Sequence, residues 1–236
     1  MDNRVKLPPR LALLASLVPQ GAKVADVGTD HGLLPVSLLE NQIAVSAVAT
    51  DIRSGPLSHA ERLRRDRGLD NMRCILCDGL RDVTAEDADT VIIAGMGGEN
   101  ISGILSRAPW TAQGTRLLLQ PMSRPEELRR ALGEMGIRIW EEHLVEDAGR
   151  IYSVIVASAG DPVPLSETEL YTGSYDLVSG EELFFPMLEA LEEKMNSAIH
   201  GLERAERSDI KERLLHLCRI KAGIEDMRRR YNAQSF

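Results

Sequence analysis

No stretch of this 236-residue sequence approaches the roughly 20 consecutive apolar residues needed to cross a bilayer as a helix. A membrane-spanning helix is therefore excluded. Residues 1–9 also lack the apolar core of a secretory leader, so a cytoplasmic location is expected. Cysteine is scarce and odd in number: Cys74, Cys77 and Cys218 have no framework spacing, which fits a reducing compartment and no structural disulfide. Cys74-Ile75-Leu76-Cys77 is formally a CxxC, but zinc needs four ligands and there is no second pair. These two thiols read as strand core, and no metal is expected. Positive charge is also short, with 28 Lys and Arg against 36 Asp and Glu and a net charge of -8. The chain as a whole does not advertise a polyanionic partner, so any RNA site must be a local patch. Aromatic residues make up only 4% of the chain, yet 43% of it is apolar. That is enough for one sizeable core, or a core with an appendage.

What is present begins with Val24-Ala25-Asp26-Val27-Gly28-Thr29-Asp30-His31-Gly32-Leu33-Leu34-Pro35. It reads as a buried strand, a tight glycine-containing turn and the start of a helix, the arrangement by which a doubly wound α/β fold holds a nucleotide-like cofactor. Gly28 and Gly32 let the backbone approach a ligand, and Pro35 suits the first helical turn. Asp30 stands where a dinucleotide site would want a second glycine, and its carboxylate would repel a pyrophosphate. A cofactor that is cationic at that place, S-adenosylmethionine, suits an acidic loop.

From residue 23 to 157, short β-branched runs alternate with amphipathic stretches, the pattern of strands and crossover helices in a mostly parallel sheet. Strands are expected at 23–27, 46–50, 72–77, 90–94, 115–120, 137–144 and 150–157. Helices are expected at 35–41, 57–67, 99–107 and 125–135. Residues 145–149 are too few for a parallel crossover, so the last two strands form an antiparallel hairpin. A Rossmann-like, seven-stranded sheet closing on such a hairpin is the plan of class I methyltransferases, whereas NAD-binding domains end on a sixth parallel strand.

Asp161-Pro162-Val163-Pro164 reads as a linker, dividing the chain into a cofactor-binding domain at 1–160 and an α-helical domain at 161–236. Leu188, Leu191, Met195, Ile199 and Leu202 recur at helical spacing, as do Ile210, Leu214, Leu217, Ile224 and Met227, with Lys221 interrupting the second stripe. Only residues 206–209 separate the two patterns, which predicts an antiparallel coiled-coil hairpin. Two uses stay open: packing or dimerisation, and a substrate-holding arm. Lys211, Arg213, Arg219, Lys221, Arg228, Arg229 and Arg230 against Glu212, Glu225 and Asp226 favour the arm.

Further motifs fall at the carboxyl edge of the sheet. Asp51, 23 residues after Gly28, either accepts both hydroxyls of a ribose or caps a helix. Asp78-Gly79 either receives an adenine amino group or forms a plain turn. Gly95-Met96-Gly97-Gly98 has more glycine than a simple connection needs, and could form a flat shelf for a base. Gln120-Pro121 closes the fifth strand. Arg53, Arg62, Arg64, Arg65 and Arg67, among Glu61 and Asp66, read as a solvated helix face. His31 beside Asp30 reads as structural rather than as the catalyst.

Asp26-Val27-Gly28-Thr29-Asp30-His31-Gly32-Leu33-Leu34-Pro35, Asp51-Ile52-Arg53-Ser54-Gly55-Pro56-Leu57, Asp78-Gly79-Leu80 and Ala94-Gly95-Met96-Gly97-Gly98 together resemble the bacterial TrmK family. That family methylates N1 of adenosine 22 in the tRNA D-loop. The resemblance continues through Leu119-Gln120-Pro121 and Gly149-Arg150-Ile151-Tyr152 into the helical appendage, where Tyr171-Thr172-Gly173-Ser174-Tyr175 departs from the family's pattern. It implies S-adenosylmethionine as cofactor, held by Asp26, Gly28, Asp51, Ile52, Asp78, Gly79 and Gly95. It implies tRNA as partner, met by His31, Met96, Gly97, Gly98 and Gln120, and leaves monomer and weak homodimer both open. Chemistry adds one role. Adenine N1 carries a free lone pair at neutral pH, so the enzyme must align it and stabilise the cation that forms, and Asp30 is placed to be the principal catalytic residue. The competing readings are a small-molecule or protein methyltransferase of the same fold, and a non-catalytic nucleotide- or RNA-binding protein.

Overall fold

The structure, a computed structural model, describes residues 5–203 and 210–234. By internal contacts the chain forms two units. The first comprises the residues up to Glu141 together with Val145–Val163; the second comprises Glu142–Leu144 together with the chain from Pro164 onward.

In the first unit, α1 (Pro9–Ser16) precedes β1 (Ala22–Val27), α2 (Leu33–Glu40), β2 (Ala44–Asp51), α3 (Ser54–Asp66) and β3 (Met72–Leu76). There follow β4 (Thr90–Gly97), α4 (Gly98–Ser106), β5 (Arg116–Ser123), α5 (Pro125–Glu134), β6 (Ile137–Asp147) and β7 (Arg150–Ala159). The strands form one seven-stranded sheet in the order β3-β2-β1-β4-β5-β7-β6. β1 to β5 run parallel and β7 runs antiparallel to β5. The β6–β7 turn is only Ala148-Gly149, both at positive φ (50° and 72°), the left-handed geometry that matches the twist of a two-residue hairpin. The strand order reverses between β1 and β4, which opens a crevice beyond the carboxyl ends of the parallel strands.

Strand residues alternate between two cores, as a sheet covered on both faces requires. Val91, Ile93, Leu117 and Leu119 pack with Ile101, Leu105, Leu128 and Leu132 from α4 and α5. Ile92, Leu118, Val154 and Val156 pack with Leu14, Val36, Leu38 and Ala60 from α1, α2 and α3. Truncating one such buried leucine to alanine costs about 2–5 kcal/mol, so the sheet is a rigid base for whatever its edge carries.

The sequence pattern anticipates the seven strands and the α2 to α5 helices. It misses α1, eight residues that follow no strand or glycine turn of the kind that marks the equally short α2. It also ends the fourth strand at Ala94, whereas β4 continues to Gly97 with irregular register against β5 at Met96 and α4 starts at Gly98 with no intervening loop. Gly95, at φ 78°, absorbs the bulge.

The second unit contains α6 (Glu167–Thr172), α7 (Tyr175–Val178), α8 (Phe184–Glu203) and α9 (Ile210–Gln234). A capping box between Ser166 and Glu169 starts α6, a short helix without a readable period. α8 and α9 run antiparallel, as the pairings of Phe184 with Tyr231 and of Glu192 with Arg228 require. The turn expected at 206–209 lies outside the described residues. Ile220, Ile224 and Met227 are the buried positions of α9, while Lys221 turns aside to Glu225 at 3.7 Å. Three residues of β6 belong here: His143 Nδ1 is 3.1 Å from Glu181 Oε1, and the Leu144 N–H donates to Glu181 Oε2 at 3.2 Å. Among the described residues no helix is long and apolar enough to cross a membrane.

Candidate cofactor site at the sheet's carboxyl edge

The crevice at the switch point is a cavity of about 740 Å³. Asp26, Gly28, Asp30, Asp51, Ile52, Asp78, Gly79, Gly95 and Met96 all line it, brought together from the ends of β1, β2, β3 and β4. The turn after β1 is bolted to its neighbour: the Gly28 and Thr29 N–H groups both donate to the Thr50 carbonyl, at 2.8 and 2.9 Å. Gly28, Asp30 and Gly32 have positive φ values of 70°, 53° and 71°. At Gly32 a Cβ would lie 2.8 Å from that of Ala60, so only glycine lets this loop pack on α3. Asp30 is the non-glycine residue held left-handed in the loop, a costly conformation that aspartate tolerates better than most. Its side chain is 62% exposed and its Oδ2 is 3.6 Å from His31 Nε2.

The acidic residues differ in what they have left to offer. Asp26 is buried and accepts the Thr29 hydroxyl at 2.5 Å. Burial raises its pKa to about 6, opposed by the Thr29 hydrogen bond and reinforced by nearby Asp51. Asp51 is also buried, and one carboxylate oxygen accepts the Arg53 N–H at 2.8 Å, leaving the other for a ligand. The helix-capping use is not realised: the N-cap of α3 is Arg53 and no side chain caps that helix, so the Asp51 bond only fixes the turn before it. Asp78 is paired with Arg107 at 3.2 Å, and both are exposed. Ile52 stands 67% exposed on the cavity wall, a flat apolar contact for an aromatic ring.

His31, Gly97, Gly98 and Gln120 do not line the cavity. The His31 ring stacks on His59, with centroids 4.9 Å apart and planes 9° from parallel. Gly97 caps α4, and Gly98 passes so close to α5 that a Cβ would sit 2.2 Å from the Arg124 carbonyl oxygen. Gln120 is fully buried with both ends of its amide engaged. Its Oε1 accepts from Arg10 Nη1 at 2.9 Å and from the Gly95 N–H at 3.2 Å, and its Nε2 donates to the Pro121 carbonyl. It therefore supports the floor under Gly95.

Sequence reasoning missed Arg10, Asn100 and Arg107, which also line the cavity. Arg107 could have been found by its place four residues after Gly103 on α4. Arg10 carries no local signal, because its partners Gln120 and Asp147 lie 110 and 137 residues away.

Both cysteines of the CxxC are held toward the thiol form: burial, with Glu61 as hydrogen-bond partner, pushes Cys74 up to about 12, and burial raises Cys77 as well. Among the described residues no cluster of His, Cys, Asp and Glu could hold a metal ion.

Comparison with known proteins decides the family. Residues 7–155 match the family model described as a methyltransferase domain. Over 161 residues the chain is 37% identical to a Bacillus subtilis tRNA (adenine(22)-N(1))-methyltransferase, covering 67% of this chain and 68% of that protein. The crystal structure of the B. subtilis m1A22 tRNA methyltransferase TrmK superposes with a TM-score of 0.86 at 28% identity, over 95% of this chain and 100% of that one. The chain belongs to the TrmK family. A Streptococcus pneumoniae TrmK-like structure, described as a candidate tRNA (m1A22) methyltransferase in complex with S-adenosyl-L-methionine, is 30% identical with a TM-score of 0.77. It covers 90% of this chain and 98% of that one. The family fold thus extends through the helical unit, although the methyltransferase-domain model stops at residue 155.

Proposed function

We infer that this chain transfers the methyl group of S-adenosylmethionine to N1 of adenosine 22 of tRNA. The observation that carries this reading is the acidic, glycine-lined cavity at the switch point, in a chain of the TrmK family. The residues fit the cofactor. Asp51 has a carboxylate oxygen left for a ribose diol, Ile52 an apolar face for adenine, and Asp78-Gly79 an acceptor beside it. Nothing lies within 4 Å of a Cβ built on Gly95, which leaves room above the β4 bulge. Asp26 and Asp30 supply negative charge where the cofactor is cationic. When bound, S-adenosylmethionine would supply an electrophilic methyl on a sulfonium: the N1–C bond forms as the C–S bond opposite it breaks, and the C–S electron pair leaves on the sulfur of S-adenosylhomocysteine.

The chain's own residues then have three tasks. Asp30, exposed at the rim, accepts a hydrogen bond from the adenine exocyclic amine and offsets the positive charge that develops on the ring. No proton has to be removed from N1, so no general base is required. Met96 and the Gly95 backbone, held from below by Gln120, form the surface on which the target ring is aligned. The stacked His31–His59 pair offers a flat face to a neighbouring base once the target adenosine has been turned out of its stack.

The helical unit holds the tRNA body. Lys221, Arg228 and Arg229 are paired with Glu225, Glu192 and Asp226, and Arg230 lies over the Tyr175 ring at 4.0 Å. Lys211, Arg213 and Arg219 are exposed with no partner among the described residues, and they are assigned to phosphates.

The test is transfer of labelled methyl from S-adenosylmethionine to an unmodified tRNA transcript carrying adenosine at position 22, beside one carrying guanosine. Label in the first alone is expected. Label in neither, with cofactor binding intact, would move the assignment to a small-molecule or protein substrate.

A further inference from the structure

Asp30 stands at the cavity rim in a left-handed conformation with its side chain 62% exposed, yet its task requires the carboxylate to meet the adenine at one place. We propose that His59, on α3, is a positioning residue that holds the Asp30 carboxylate there through the His31 ring, a role that rests on the one given to Asp30 above and extends it. The backbone of the loop needs no such help. The Gly28 and Thr29 N–H groups are tied to the Thr50 carbonyl, and the Gly32 N–H donates back to the Thr29 carbonyl at 3.0 Å. What the backbone leaves free is the two side chains between, those of Asp30 and His31.

The packing of α3 supplies the restraint. Gly32 approaches Ala60 so closely that a Cβ on it would lie 2.8 Å from the Ala60 Cβ, and Ala60 is fully buried. The residues one step earlier on each side, His31 in the loop and His59 in the helix, are thereby brought face to face. Their rings stack with centroids 4.9 Å apart and planes 9° from parallel. His31 Nε2 in turn lies 3.6 Å from Asp30 Oδ2, too long for a fixed hydrogen bond but close enough to limit where the carboxylate can turn. Among the described residues no other hydrogen bond or ion pair engages that carboxylate. An exposed aspartate with one neighbour takes its place from that neighbour, and His31 takes its own from His59. The same rings also offer a face to a neighbouring base, and the two uses differ in what the loss of His59 changes. Positioning acts on the rate of transfer within the bound complex, whereas base stacking acts on tRNA affinity.

The experiment measures single-turnover methyl transfer by the full-length protein at saturating S-adenosylmethionine and saturating tRNA carrying adenosine 22, with both affinities and thermal melts alongside. His59 is exposed, so its replacement removes no core packing. His59→Ala is expected to slow transfer by about three- to tenfold, the size of a lost aromatic stack, with both affinities within about twofold of wild type and the melt unchanged. His59→Phe, which keeps a flat ring, is expected to restore most of the rate. In an Asp30→Ala background His59→Ala should slow transfer no further, because a residue that acts through Asp30 has nothing left to position. An unchanged rate in His59→Ala would overturn the proposal, as would equal slowing in both backgrounds. A loss confined to tRNA affinity would overturn it too, leaving the pair as a base-stacking face alone. His59→Phe no better than His59→Ala would rule out the stack as the route. Unaltered turnover in Asp30→Ala by itself would instead strike the role of Asp30, and the positioning falls with that role.

Discussion

The α/β unit and the helical unit carry their chemistry in different ways. In the first, the site is made of backbone: strand ends, left-handed loop residues and glycines where a Cβ has no room, all set on a sheet with two buried faces. In the second, the candidate binding groups are long basic side chains on α9, several already paired within the unit. Backbone sites fail when one atom is added, whereas charge displays weaken in steps. The contrast teaches where substitutions should abolish activity and where they should only tune it.

The largest effect expected is at Asp30. Asp30→Ala should lower methyl transfer by about 100-fold or more while S-adenosylmethionine still binds, measured as single-turnover transfer beside a binding titration. Unaltered turnover would remove Asp30 from the mechanism. Gly98→Ala follows, because its Cβ would lie 2.2 Å from the Arg124 carbonyl oxygen; a loss of about 1–3 kcal/mol is expected, with transfer impaired along with it. Gly223→Ala on α9 meets a comparable clash, 2.0 Å from Thr168 Oγ1, but should destabilise the helical unit and leave cofactor affinity intact. Equal loss of cofactor binding in both variants would break the comparison between the units.

Asp26 sharpens it through pH. Its pKa, raised from the ordinary 3.8 to about 6 by burial, corresponds to about 3 kcal/mol at most. The folded state then binds more protons than the unfolded one between those values, so this group's contribution to stability falls as pH rises through that window. Asp26→Asn should therefore be more stable than wild type at pH 7.5 and lose that advantage below about pH 4, by thermal melts at both pH values, while binding cofactor more weakly. A variant no more stable at pH 7.5 would mean that the ionised carboxylate is well accommodated in the fold.

The smallest effect is on α9. Reversing Lys211, Arg213 and Arg219 together should weaken tRNA binding and flatten its dependence on log salt by about 2–3, with methyl transfer kept at saturating tRNA. An unchanged salt slope would return the hairpin to a packing or dimerisation role.

Legibility in the sequence followed the same division. Strand ends and the Gly28, Asp51, Asp78 and Gly95 positions were readable because each is local, a residue type following an apolar run at fixed spacing. The β4 bulge was not, since three glycines look like a loop until pairing with β5 extends the strand through them. Gln120 was noticed for its place beside Pro121, but only the fold shows its amide turned under Gly95. α6 and α7 are too short to carry a period, α1 follows no strand or glycine turn of the kind that marks the equally short α2, and Glu142–Leu144 join the second unit through contacts no local pattern encodes.

By itself, then, the sequence determined the alternation of strands and helices, the closing hairpin and the acidic residues at the sheet edge, because periodicity and turn chemistry act over a few residues. Only the tertiary structure decided that Arg10 from the first helix meets Gln120 and Asp147 at the cavity. Such a meeting depends on how the sheet orders its strands, and that order is set by packing across the whole unit.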